Sequence, residues 1–112
     1  MSKLRTITAD EWTGTPGDWL PNPHAGEMLW LEFMEPGDIG VVDLAAAIEL
    51  KADQLQAVIG GKRRMYAELD LRLARYFGMS EGFFLGLQID YELLEAKRAL
   101  NGSLDRIVPR AA

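Results

Sequence analysis

From Gly26 to Asn101 the apolar residues of this chain recur at helical spacing and nowhere alternate over a useful length, so the chain can bury them only as helices. Val41, Leu44, Ala45 and Ile48 fall at i, i+3, i+4 and i+7, a stripe along one face. Leu55, Val58 and Ile59 form a second inward-facing set, and Leu69, Leu73, Tyr76 and Phe77 a third that is expected to be buried. In an earlier helix Leu29 shares a face with Phe33, and Trp30 with Met34, before Pro36 and Gly37 stop it. Glu49–Lys51 breaks the second helix from the third. Gly60 and Gly61 supply the left-handed conformations that end the third, and Gly78 caps the fourth. Ser80 is expected to cap a fifth helix holding Phe83, Phe84 and Leu87, and a sixth runs from about Asp90 to Leu100. Connections this short leave only a compact all-α bundle of five to six helices over residues 24–100. Residues 1–23, with Gly14, Pro16, Gly17, Pro21 and Pro23, read as an N-terminal arm, and residues 101–112 as a tail.

A chain of 112 residues has room for one core, and 48% hydrophobic with 26% charged residues is a globular balance. There is no cysteine, which excludes disulfides and thiolate metal sites. Neither a secretion signal nor a span of about 20 apolar residues is visible, so a cytoplasmic protein with no membrane partner is expected. The net charge of −5 argues against nucleic acid until its distribution is read. Residues 1–50 carry 2 positive and 9 negative charges, whereas residues 51–75 carry 6 positive and 3 negative. The basic excess is confined to one short segment, as a DNA-facing edge requires.

That segment contains the pattern with functional content. Two short helices, the second ending in Gly-Gly and followed by Lys62, Arg63 and Arg64, outline a helix-turn-helix. In such a unit the first helix braces the second, whose outer face enters the major groove. Asp53, Gln54 and Gln56 would face the bases, with Ala52 and Ala57 allowing close approach. Glutamine can pair bidentately with adenine, and the three basic residues can reach phosphates.

The run from His24 to Gln88 resembles the HigA-type antitoxins, a branch of the lambda-repressor-like (XRE/Cro) helix-turn-helix proteins. His24, Gly26, Glu27, Leu29 and the block Glu32-Phe33-Met34-Glu35-Pro36 are similar to the family's entry helix, HPGE-x-L-x-EEFLEP. Leu44-Ala45 sits where the family places its first motif core pair. Gly61-Lys62-Arg63 matches the NGKR loop with Gly60 in place of Asn. Leu71 to Gly78 followed by Ser80 is close to LRLARYFGTS, and Phe83-Phe84-Leu85 with Leu87-Gln88 resembles FWLNLQ. The resemblance implies a homodimeric transcriptional repressor that binds a palindromic DNA operator, needs no cofactor or metal, and neutralises a small ribonuclease toxin resembling RelE. It also implies DNA contacts from Gly40, Val41 and Lys51 beside those named above, and dimerisation through C-terminal helices, with Phe83, Phe84, Leu87 and Tyr91 as interface candidates.

Several positions depart from the family pattern. Gly40 and Val41 replace a Ser-Gln pair in which serine caps and glutamine touches phosphate. Lys51 stands at the recognition helix's cap, Ala57 where arginine or glutamate is common, and Tyr66 where Ser or Thr precedes the fourth helix. These changes leave open a protein-binding module on the same fold that has lost DNA, and a regulator with no toxin partner.

No catalytic constellation is present. His24 is the only histidine and reads as a helix-entry residue; Ser80 has no base to activate it. Arg72 and Arg75 are expected to pair with Glu68 or Asp70. Trp12 and Trp19 in the arm call for a docking surface, on the protein's own dimer or on a toxin.

Overall fold

The computed structural model describes residues 21–111; the arm's residues 1–20, with Trp12 and Trp19, lie outside the described residues. The architecture is all-helical, without a strand among the described residues. Helix α1 (Ala25–Met28) runs on as a π-helical stretch, Leu29–Met34, and is followed by α2 (Val41–Ala47), α3 (Ala52–Ile59), α4 (Ala67–Phe77) and α5 (Phe83–Leu100). A single 3-10 turn, Ser103–Arg106, ends the described fold. No helix among the described residues is long and apolar enough to cross a membrane.

The π stretch changes which residues share a face. Its i→i+5 bonding, as in Glu35 N–H to Trp30 C=O (2.8 Å), sets Leu29 and Met34 together on the buried side. Trp30 and Phe33 remain half-buried beside them. The core is then completed by Leu44 and Ala45 of α2 with Ile48 just after it, Leu55 and Val58 of α3, Met65 in the loop before α4, Leu69 and Leu73 of α4, and Phe84 of α5. Around its edge Phe33 lies 5.1 Å from Phe84, 5.2 Å from Phe77 and 5.9 Å from Phe83, ring centre to ring centre. Tyr76 departs from the expected burial: it is 46% exposed, turned outward on α4 while Phe77 takes the inner place.

Two glycines are demanded by geometry. A Cβ on Gly26 would lie 1.8 Å from the Val58 carbonyl oxygen, so α1 reaches the last turn of α3 only because that atom is missing. Gly61 adopts φ +78° and ends α3, with its N–H on Val58 C=O and the Lys62 N–H on Ala57 C=O. Gly60, expected to be left-handed too, is not: its φ is −81°. The end of α2 has the same bonding, Glu49 N–H to Ala46 C=O and Leu50 N–H to Ala45 C=O, but the left-handed residue is Glu49, at φ 59°.

Two expectations about the C-terminal half are corrected. The fifth and sixth helices are one 18-residue helix, α5. Ser80 does not cap it by its side chain. Instead the Asp70 carboxylate, 1% exposed, reaches from α4 and accepts from the N–H groups of Gly82 (2.6 Å), Phe84 (2.7 Å) and Leu85 (3.0 Å). A buried anion at a helix N-terminus satisfies donors that the helix itself leaves open and complements its dipole. Asp70 is thereby withdrawn from the arginines; among the described residues Arg72 forms its ion pair with Glu68, at 3.0 Å.

Candidate nucleic-acid interface

Helices α2 and α3 meet across the four-residue turn Ile48–Lys51. Leu44, Ala45, Leu55 and Val58 face each other in the core, which leaves the opposite face of α3 to solvent. On that face Asp53 and Gln56 are exposed, while Gln54, Ala52 and Ala57 are half-buried. Asp53, Gln56 and Ala57 line a shallow depression together with Gly60 and Lys62, so the outer face of α3 and the start of the basic loop form one continuous surface. Lys51 is the extended residue before α3 (φ −72°, ψ 139°) and makes no side-chain cap bond, which leaves its ammonium exposed at the helix entrance. At the start of α2, Gly40 likewise supplies no side-chain cap; Val41 packs partly against the core and Val42 is 70% exposed.

The three basic residues of the loop have different fates. Lys62 is exposed beside Gln56. The Arg63 guanidinium lies over the Tyr66 ring, 4.0 Å from its centre, which orders an exposed cation at the loop's edge. Arg64 instead turns to α5 and grips Glu92 with two hydrogen bonds, 2.7 and 3.0 Å. Gln88 donates to the same carboxylate (2.8 Å) and accepts from the Met65 N–H (3.1 Å). Hydrogen bonding from Arg64, then from Gln88, holds the Glu92 carboxyl at about 2, well below the usual carboxylate range, and Glu92 in turn raises Arg64. Arg64 therefore anchors the loop to α5, while Lys62 and Arg63 keep their charge toward solvent.

The structure separates the four residues named for a subunit interface. Phe84 is fully buried in the chain's own core and presents nothing to a second copy. Phe83 packs edge-on to Phe33 and Phe84, and Tyr91 edge-on to His24 at 5.9 Å; both, like Leu87, are half-buried. The exposed apolar residues of α5 are Ile89, Leu93 (54%) and Leu100, which the sequence reading passed over. His24 does serve as the entry residue of α1: its Nδ1 accepts from the Glu27 N–H at 3.2 Å.

A helix-turn-helix with a polar outer helix and a basic exit loop, packed on a helical bundle, is the class of protein this geometry defines. No family model matches the chain. Virulence-associated protein I of Dichelobacter nodosus is 30% identical over 90 residues, covering 80% of this chain and 82% of that protein. The Pseudomonas aeruginosa antitoxin HigA, solved with the higBA promoter, is 32% identical with a TM-score of 0.72, covering 81% of this chain and all of that one. An addiction module antidote protein of the HigA family from Coxiella burnetii is 26% identical with a TM-score of 0.73, covering 81% of this chain and 100% of that one. The chain belongs to the HigA-type helix-turn-helix antitoxins.

Proposed function

We propose that this chain is a dimeric DNA-binding repressor and the antitoxin of a toxin–antitoxin pair. Helix α3 enters the major groove and presents Asp53, Gln54 and Gln56 to base edges, with Lys51, Lys62 and Arg63 meeting the flanking phosphates. The observation that carries the reading is the continuous surface of polar α3 face and solvent-directed loop cations, on a fold shared with an antitoxin solved on promoter DNA. Residues 24–100 act as the DNA-binding unit. The apolar stripe Ile89, Leu93 and Leu100 on α5 is covered by a second copy, which sets two recognition helices on a palindrome about one helical turn apart. A separate surface holds a RelE-like ribonuclease toxin, and the chain itself catalyses nothing; its place is the cytoplasm.

The test is fluorescence anisotropy with the DNA upstream of its own gene, at two salt concentrations, for the wild type and a Gln54→Ala, Gln56→Ala double variant. Tight binding that weakens with salt, and a variant that no longer prefers this DNA over a random duplex, support the reading. A folded protein with no affinity at low salt contradicts it. One observation favours a second reading, a protein-binding module that no longer takes DNA. The start of α2 offers Gly40, Val41, exposed Val42 and the acid Asp43, none with a side chain that could donate to phosphate. Copurification with a neighbouring toxin in the absence of DNA affinity would establish that alternative.

A further inference from the structure

The orientation of α3 against α2 depends on the turn Ile48–Lys51, and the sequence leaves that turn poorly secured. Neither Gly40 nor Lys51 caps its helix by side chain, and Glu49 holds a left-handed conformation that non-glycine residues rarely take. Among the described residues, the side-chain hydrogen bonds that reach the turn's backbone come from Arg72 on α4. Its Nη1 donates to the Ile48 carbonyl at 2.7 Å and lies 3.4 Å from that of Glu49. The other edge of the guanidinium is fixed by Glu68, with Nε at 3.1 Å and Nη2 at 3.0 Å from one carboxylate oxygen.

We propose that Arg72 is a positioning residue for DNA recognition: it clamps the Ile48 and Glu49 carbonyls, just past the C-terminus of α2, to α4 and so fixes the angle at which α3 is presented. This rests on the reading of α3 as the recognition helix. The chemistry is particular to arginine. A planar fork can bond a carboxylate on one edge and a carbonyl on another, and a cation suits the negative end of a helix. The compact ammonium of lysine lacks the planar fork that spans these two separated partners. Nε, Nη1 and one edge of Nη2 are engaged inside the protein, so the residue acts through the turn and not by a contact of its own with DNA.

Arg72→Ala and Arg72→Lys are compared with the wild type for binding to the upstream DNA and to a random duplex of equal length, across a salt series and at a temperature where each is folded by circular dichroism. Arg72→Ala is expected to lose at least tenfold in affinity for the upstream DNA while its affinity for the random duplex stays within twofold. Its salt slope on the random duplex should be unchanged, because no phosphate contact is removed. Arg72→Lys should recover part of the loss. Hydrogen exchange, read without DNA, is expected to quicken at least tenfold at the Glu49 and Leu50 amides in Arg72→Ala, with the α4 amides of Leu73 and Ala74 little changed. Upstream binding by folded Arg72→Ala equal to wild type, or equal loss on both duplexes, overturns the proposal. If the wild type binds neither duplex, the DNA reading fails, and unchanged exchange at Glu49 and Leu50 separately removes the clamp.

Discussion

Replacing Asp70 by alanine is expected to be the most damaging single change to this fold outside its apolar core. The carboxylate serves three amides at the start of α5, at 2.6, 2.7 and 3.0 Å, and is 1% exposed. Hydrogen bonds to a charged acceptor contribute about 1.5–3 kcal/mol each, but the three are not independent, and the burial of the anion offsets part of the gain. Gly82 is exposed, so its N–H can turn to water in the variant. The Phe84 amide sits behind a fully buried ring and cannot, which leaves an unsatisfied donor costing about 1–3 kcal/mol. Together with the lost charge–dipole term, the expected destabilisation is about 3–5 kcal/mol. Against a total stability of about 5–15 kcal/mol, such a loss is large. Asp70→Asn separates charge from shape. It keeps one acceptor oxygen, but its NH2 must confront at least one backbone N–H, and about half the loss is expected. Urea unfolding followed by circular dichroism reads both variants, at one fixed protein concentration because the proposed dimerisation would add to apparent stability. With a slope of about 1–2 kcal/mol per molar, the Asp70→Ala midpoint should fall by about 1.5–5 M, which can leave it largely unfolded in buffer. A fall below about 0.5 M, or an asparagine variant as stable as the wild type, would refute the reasoning.

Glu49→Gly should stabilise the protein by about 0.5–1 kcal/mol, since relief of the left-handed strain at φ 59° exceeds glycine's added chain entropy; differential scanning calorimetry would show it as a raised melting temperature. The Glu92 carboxyl is lowered from 4.5 to about 2 in the folded state, so its contribution to stability is fully present above the unfolded value and is lost as pH falls through that window. Glu92→Gln should therefore flatten the fall in urea midpoint between pH 4.5 and 2, and an unchanged acid profile would count against the Arg64–Glu92–Gln88 linkage. Leu93→Glu places a charge on the exposed stripe of α5 and should convert a dimer to a monomer of unchanged helix content in light scattering after size exclusion; a persisting dimer would place the interface elsewhere.

The helical period was enough to expose the all-α class and the helix-turn-helix pair, because Leu44, Ala45, Leu55 and Val58 carry both the local pattern and the tertiary contact. It failed where the decisive bond runs between elements. Asp70 reads as a surface acid able to pair with a neighbouring arginine, yet it sits between Leu69 and Leu73 on the inner side of α4, and a lone acid at that register is the signal that it serves a buried donor. Gln88 gave the same sign, four residues after the buried Phe84. The interface candidates follow from the resemblance, which points to the C-terminal helices without saying which face is free; Phe84 is needed to fill the core, and the exposed stripe of α5 is Ile89, Leu93 and Leu100. On α3, Asp53 and Gln56 could be placed outward from spacing alone. That Arg64 is spent on Glu92 could not, since the partner lies 28 positions away.

The most direct measurement is a titration of the 15N-labelled protein with its own upstream duplex, followed amide by amide. The largest shifts are expected at Lys51–Ala57 and at Lys62 and Arg63, with smaller ones at Gly40–Val42 and little change at the α4 amides Leu69–Leu73. Shifts centred on α4 or α5, or none at low salt with the protein folded, would contradict the assignment of α3 as the helix that reads DNA.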